Sequence, residues 1–395
     1  MQTSEPDWPA IREAWALRPG VAYLNHGSFG PSPTCVIESR EAWSRRLEAQ
    51  PMDFFVRTMD DDLDAAAEAL GRFVGAAGRD LVFLPNATVA MNLVAANVRL
   101  RPGDEVLATN HEYGAVLRIW REACRAAGAE LVVRRLPERL DTDDVIAETL
   151  LAGITDRTRL IVVSHVTSPT AAILPVHLIC EGAKRRGVPV CIDGPHAPAM
   201  VDVNIGRLAC DYYCASLHKW LSAPFGSGFL YVSRKHQQAF RPIVTSWGGS
   251  LSGRAASWKD EFTWSGTHDP APYLAVPAAI EFLEAVGVDR FRDRMHALAK
   301  LARDRIVALT GLQPFVADSP QRYGSMISLP LPPLDGFEGG HGRIDPLQSA
   351  LWHEHGIEVP VAHWGGRRLL RVSCHLYNTP DDVDRLTTAV GRLLS

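Results

Sequence analysis

From residue 79 onward, short apolar runs alternate with longer stretches in which apolar positions return every three or four residues. RDLVFL gives way to NATVAMNLVAANV, DEVLAT to EYGAVLRIWREACRAA, and ELVVRRL to DDVIAETLL. RLIVVSHV precedes LICEGAKRRG, and VPVCID and YYCAS follow. An apolar run without polar alternation predicts a strand buried on both faces, and the 3.6-residue rhythm predicts the helices that cover it. The expected class is α/β, with a mostly parallel sheet. Such sheets take their ligands beyond the carboxyl ends of the strands. The residues at those ends therefore carry the functional reading.

After LVFL, Pro85-Asn86-Ala87-Thr88 opens a helix that Asn86 or Thr88 can cap. The free amides of its first turn can hold a phosphate; lacking a glycine-rich fingerprint, the segment also reads as a plain capped helix. After DEVLAT, Asn110-His111-Glu112-Tyr113-Gly114 puts an aromatic at the same rim, and after RLIVVSHV come Thr167, Ser168 and Pro169. VPVCID ends on Asp193, with His196 three residues on, and YYCAS ends on Ser216, with His218 and Lys219 just beyond. A carboxylate and an amine at the ends of buried strands are costly unless they pair or the amine is chemically altered. A lone lysine more often reaches water from a strand end. The order of helix N-terminus, rim aromatic, strand-end Asp and strand-end Lys is more specific than any of its parts.

Composition narrows the class without naming the chemistry. The 395 residues carry a formal net charge of -4, with no basic excess to recruit nucleic acid or anionic lipid. No apolar run approaches the ~20 residues needed to span a bilayer. The start, MQTSEPDWPAIREAWALRPG, lacks the apolar core of a signal peptide. Seven scattered cysteines read as free thiols, with cytoplasm as the expected compartment. No metal site is expected. Cys210, Cys214 and His218 lack a fourth ligand at a useful spacing, and His353 and His355 in WHEHG point to different sides of a helix.

The motifs together resemble a known family. "YLNHGSFGPSP", "PNATVAMN", "NHEYGA", "SHVTSPT", "IDGPHA", "SLHKWL", "SGTHDP" and "RVSCHLYNT" are similar to those of class V aminotransferases. These are fold-type I pyridoxal-phosphate enzymes, and the likeness is strongest to the isopenicillin N epimerase-like branch. It runs from about residue 23 to 380. The resemblance implies a large cofactor-binding domain over 20–275, and a smaller α+β domain formed by 276–395 with 1–19. Lys219 would condense with the aldehyde of pyridoxal 5'-phosphate, and Asp193 would pair with the ring nitrogen and keep it protonated. His196 would meet the ring hydroxyl oxygen, Tyr113 or His111 would stack on the ring, and Ser168 stands where relatives often carry asparagine. Ala87, Thr88, Ser216 and His218 would hold the phosphate. Thr267, in Gly266-Thr267-His268, would reach the phosphate of a second subunit in a homodimer, or else would cap the segment before Asp269-Pro270. Arg371 would grip the substrate α-carboxylate by a bidentate pair.

The resemblance is less specific for the reaction. Epimerisation or racemisation at the α-carbon of an amino acid or amino-acid-containing metabolite is the branch's activity. A carbon–sulfur lyase, an aminotransferase, or a non-catalytic binding protein that keeps the cofactor pocket are the alternatives. Epimerisation needs a proton carrier on each face of the α-carbon. Lys219 serves one, and His26 or Tyr113 is the candidate for the other, although a histidine between Asn25 and Gly27 is more often just a turn residue. No cysteine lies between Gly311 and Leu370, where desulfurases carry their catalytic thiol. Arg57, Arg241 and Arg254 are candidate partners for a distal carboxylate on the substrate.

Overall fold

The computed structural model of the chain describes residues 6–337, 339–340 and 342–394. The first five residues of the expected small domain, where the chain-start reading begins, lie outside the described residues. The first described element is a five-residue helix, Trp8–Arg12, capped by Asp7 Oδ1 accepting from Ala10 N at 3.2 Å. The chain then enters a two-residue strand, β1 (Ala22–Tyr23).

The seven strands of the large sheet follow: β2 (Leu81–Leu84), β3 (Glu105–Thr109), β4 (Glu130–Arg134), β5 (Thr158–Ser164), β6 (Val190–Asp193), β7 (Tyr212–Ser216) and β8 (Gly228–Val232). Their spatial order is β2-β8-β7-β6-β5-β3-β4, and only β8 runs antiparallel to its neighbours. β3, β6 and β7 are buried throughout, as their unbroken apolar runs require, whereas β4 is an edge strand with much of its length exposed. Helices Ala87–Asn97 and Gly114–Ala127 cover one face around Trp120, Cys191 and Cys214. Helices Asp143–Leu151 and Val176–Arg185 cover the other around Ile161, Val163 and Ile192. The register sets Ser164 of β5 opposite Asp193 of β6, and Asp193 opposite Cys214 of β7. The carboxyl ends of three adjacent strands therefore open at one level.

The C-terminal part adds β9 (Met326–Leu331), β10 (Ile357–Glu358), β11 (Val361–Trp364) and β12 (Arg367–Ser373). β11, β12 and β9 form an antiparallel sheet packed under helix Val288–Thr310, against which helix Pro380–Leu394 packs in turn. Chain just past the expected boundary at residue 20 pairs with the C-terminal part. β1 pairs in parallel with β10, Ala22 against Ile357, and Asn25 bridges to Ser373. Nor do the two parts have separate cores, since one buried cluster runs from Trp15 through Ile161 to Val372 and Val390. Trp15 packs the N-terminal segment against the C-terminal part, its ring edge-on to Phe282, His375 and Tyr377 at 5.3–5.5 Å between centroids. Among the described residues no single helix is long and apolar enough to cross a membrane.

Several histidines are spent inside this fold as neutral hydrogen-bonding groups. His111 Nδ1 meets Thr170 Oγ1 at 2.8 Å, and His165 Nδ1 meets Tyr213 Oη at 2.9 Å. Burial holds His26, His111, His165, His196, His218 and His375 below the ordinary imidazole pKa, to about 4 at His111 and about 3 at His375. Unfolding restores the ordinary value, so below about pH 6.5 the unfolded chain binds the extra protons and stability falls as pH falls. Burial pushes Glu112 and Asp193 the other way, so they stabilise the fold at low pH, but the histidines outnumber them. The unfolding free energy should therefore drop between about pH 7.5 and pH 5, by about 1.4 kcal/mol per pH unit for each net proton taken up on unfolding, and the denaturant midpoint with it. A midpoint that stays level or rises on acidification over that window would contradict this assignment.

Candidate active site

Three strand ends and one helix start meet around a cavity of about 370 Å³. Asp193 ends β6 and Ser216 ends β7, both buried. Past Ser216 the chain makes a tight turn that returns Lys219 over the strand ends. Ser222 closes this turn with a left-handed backbone (φ 54°), its N–H donating to Lys219 O at 2.7 Å. Asn86, not Thr88, caps the helix Ala87–Asn97, its Oδ1 accepting from Val89 N at 3.0 Å. Ser216 Oγ accepts from Ala87 N at 3.0 Å, which ties the helix start to the end of β7. A Cβ at Gly228 would stand 2.7 Å from Ala215 O and 2.8 Å from Asn86 Cα, so only glycine lets β8 pass between them.

Ten of the residues singled out in the sequence line this one cavity: Ala87, Thr88, Tyr113, Ser168, Asp193, His196, Ser216, His218, Lys219 and Arg371. Of the two candidate aromatics, Tyr113 is on its wall. His111 is buried behind it, against Trp364 at 4.4 Å between ring centroids. His26 does not face the cavity. It is fully buried beneath the lysine turn, with Nδ1 2.8 Å from Tyr377 Oη and Nε2 2.9 Å from Lys219 O. This revises the expectation of a substrate contact, because its ring nitrogens are already engaged by protein groups. Gly30 makes room for it, since a Cβ there would lie 2.4 Å from His26 Nε2 and 2.5 Å from His218 O. Thr267 is exposed and outside the cavity of its own chain. Arg57 pairs with Asp53, and Arg254 with Asp60, Asp64 and Asp260. Neither these nor Arg241 lines the cavity.

The cavity holds more positive than negative charge. Burial pushes the Lys219 ammonium down, with Arg371 adding to the effect and Asp193 opposing it. Burial pushes the Asp193 carboxyl up, and Lys219 opposes that rise. Arg371 is itself lowered to about 10 by burial. Its Nη1 donates to Ser168 O and Oγ, both at 3.0 Å, and its Nη2 to Ser28 Oγ at 2.6 Å, while Nε has no partner. Three residues earlier, Arg368 is equally buried but fully paired, donating from Nε and Nη2 to the two oxygens of Asp345 at 2.9 Å. Among the described residues no carboxylate pairs with Arg371. His218 Nδ1 is likewise buried without a partner. Unpartnered buried donors beside a helix N-terminus make a site for anions.

Three contributors escaped the sequence reading. Ser28 follows His26-Gly27 in the quoted "NHGSFG", and Glu112 lies within "NHEYGA", so the motifs contained them without separating them from their neighbours. Glu112 accepts from Thr109 Oγ1 and Ser164 Oγ, both at 2.6 Å, and burial raises it to about 7. Trp220, next to Lys219, reads in sequence as one more core aromatic. Its indole Nε1–H donates to His196 Nδ1 at 3.3 Å.

An amine freed of much of its charge, a buried carboxyl and an anion-seeking helix start suit a phosphorylated pyridine aldehyde, so the residues present fit pyridoxal phosphate. Residues 22–386 match the family described as Aminotransferase class-V. The chain is 38% identical to an isopenicillin N epimerase from Amycolatopsis lactamdurans and 35% identical to one from Streptomyces clavuligerus. Each comparison covers 98% of both proteins. The fold matches a cysteine desulfurase of Thermococcus onnurineus NA1 with a TM-score of 0.84, over 100% of this chain and 99% of the other, at 21% identity. The chain belongs to the aminotransferase class-V family and is a pyridoxal-phosphate-dependent enzyme.

Proposed function

We propose that the enzyme inverts the α-carbon of an amino acid or amino-acid-containing metabolite, as its isopenicillin N epimerase relatives are named for doing. The observation that carries the substrate class is Arg371: a buried guanidinium held by hydroxyls and a carbonyl, with no carboxylate of the chain beside it. A substrate α-carboxylate would supply the missing charge. When bound, pyridoxal phosphate supplies an electron sink for charge developing at the α-carbon. Lys219 would hold it covalently and then carry the α-proton on one face. Asp193 would hold the proton of the ring nitrogen, His196 would donate to the ring oxygen, and Tyr113 would cover the ring. Ala87, Thr88, Ser216 and His218 would receive the phosphate, joined by Thr267 from the partner in a homodimer. With His26 engaged behind the turn, Tyr113 is the remaining candidate for the proton carrier on the second face. Seven unpaired cysteines fit a reducing compartment such as the cytoplasm.

A carbon–sulfur lyase on the same scaffold is the second reading, favoured by the likeness of fold to a desulfurase. Persulfide chemistry on a protein thiol is disfavoured. No cysteine lines the cavity among the described residues, and Cys374 is fully buried, its thiol pushed up to about 12 by burial. Incubation of the holoenzyme with L-amino acids and cysteine conjugates in deuterium oxide separates the readings. Epimerisation yields α-deuterated product of inverted configuration with the carbon skeleton intact. Keto acid or released sulfide without inversion would replace the proposal with transamination or elimination.

Two substitutions test the roles. Arg371→Lys keeps the charge but loses the planar fork. It should cost about 1.5–3 kcal/mol of substrate binding, read as a raised KM, while the protein stays yellow; an unaltered KM would remove Arg371 from the substrate site. Lys219→Ala should fold and bind cofactor but yield no cofactor-labelled peptide after borohydride, whereas the wild type is labelled at Lys219.

The shared-site reading of Thr267 has its own test. Lys219→Ala and Thr267→Ala subunits are mixed until heterodimers form. Both defects then fall in one site, and the other site should bind cofactor as the wild type does. Heterodimers whose Lys219-containing site keeps the weak cofactor binding of Thr267→Ala would place Thr267 outside the partner's site.

A further inference from the structure

The side of His196 away from the cavity carries information that the cavity itself does not. An indole N–H can only donate, so the 3.3 Å contact from Trp220 Nε1 makes His196 Nδ1 an acceptor, free of a proton. A neutral imidazole then carries its single proton on Nε2. That nitrogen lies 2.9 Å from Lys219 Nζ. An Nε2–H facing Nζ requires the lysine to accept, which a free amine can do and an ammonium cannot.

Trp220 is held firmly enough to impose this arrangement. It is buried, with its ring 5.4 Å from His26 and 6.5 Å from His375 between centroids. Two stacked histidines also fix the backbone carbonyls of this dipeptide. His26 Nε2 lies 2.9 Å from Lys219 O and His375 Nε2 lies 3.2 Å from Trp220 O, with the two imidazole planes 3.9 Å apart at their centroids. These contacts fix the backbone from which the buried indole projects toward His196.

We propose that Trp220 is a positioning residue that locks His196 as the neutral Nε2–H tautomer and thereby keeps Lys219 a free amine, ready to take up the cofactor. The inference rests on the reading that Lys219 is the cofactor-binding amine. The other charged or titratable groups acting on Lys219 and His196 are Asp193, Arg371, His218 and His26. Arg371 works in the same sense as the tautomer lock, while Asp193 favours the ammonium. Without the indole N–H, His196 can turn an unprotonated Nε2 toward Nζ, and the ammonium gains an acceptor.

The test uses the full chain labelled with 15N-histidine, in which the imidazole shifts report which nitrogen carries the proton. The wild type should show His196 protonated at Nε2. Trp220→Phe keeps an aromatic ring but removes the N–H, and should populate the Nδ1–H form. Capture of added pyridoxal phosphate by the cofactor-free variant should slow about tenfold near pH 7 and recover about two pH units higher, as expected for a lysine pKa raised by about one unit. A purely structural defect would not be rescued by alkali. His196 protonated at Nδ1 in the wild type would overturn the proposal even if the variant failed to fold, as would a variant with unchanged tautomer and unchanged capture at every pH. Absence of a borohydride-fixed cofactor on wild-type Lys219 would instead remove the catalytic reading, while the tautomer measurement would still be decided by its own result.

Discussion

The site depends on a charge imbalance that the fold maintains away from water. Lys219 and Arg371 face one cavity whose lining carries a single carboxyl, Asp193, and among the described residues neither basic side chain is closed into an ion pair. Burying an ion costs several kcal/mol unless a partner or hydrogen bonds offset it. The chain does this fully for Arg368, through both oxygens of Asp345, and only partly for Arg371, through two serines and a carbonyl. The unpaired remainder is differential affinity for an anion. A ligand that brings a phosphate to the helix start and a carboxylate to Arg371 completes the electrostatics the protein leaves open.

The fold produces this imbalance by bringing distant segments to one level. Parallel strands β5, β6 and β7 present their carboxyl ends together, so Asp193 and Ser216 need no special loop to converge. Arg371 arrives from the C-terminal sheet, and its ligand Ser28 from the segment after β1. The pairing of β1 with β10 and the continuous buried cluster fix these pieces against the large sheet. The site is therefore built across the expected domain division, which explains why that division falls within a shared core.

Much of this was legible in the sequence because parallel strands buried on both faces leave an unmistakable trace. Apolar runs ending in Asp193 and in Ser216-Leu217-His218-Lys219 located the strand ends and the chemistry together. The antiparallel course of β8 was not legible, since GFLYV is equally apolar in either direction. His26 was misplaced for a related reason. A histidine between asparagine and glycine looks like a turn residue or an exposed acid, and only the packing of Gly30 against His26 Nε2 reveals that the turn folds under the lysine. The register that aims Trp220 at His196 is a property of three dimensions, with no counterpart in the period of the sequence.

Histidine is the side chain that suits this environment, and its uses divide by which side of Lys219 it occupies. Behind the turn, His26 and His375 engage backbone carbonyls, stacked so closely that a charge on one would oppose a charge on the other. On the cavity side, His196 and His218 offer hydrogen-bonding nitrogens to whatever the cavity receives. All four are held neutral by burial, and Lys219 adds to that effect at His196 and His218. A lysine or arginine in any of these places would add charge to a site already rich in cations, and an alanine would leave buried carbonyls unpaired. A neutral imidazole donates without adding charge, and its second nitrogen can be fixed by a neighbour, as Tyr377 does for His26 and Trp220 for His196. Asp193 and Arg371 supply the full charges acting on Lys219, while the neutral rings set geometry and, through the nitrogen that His196 turns toward Nζ, which protonation state of the amine is accommodated.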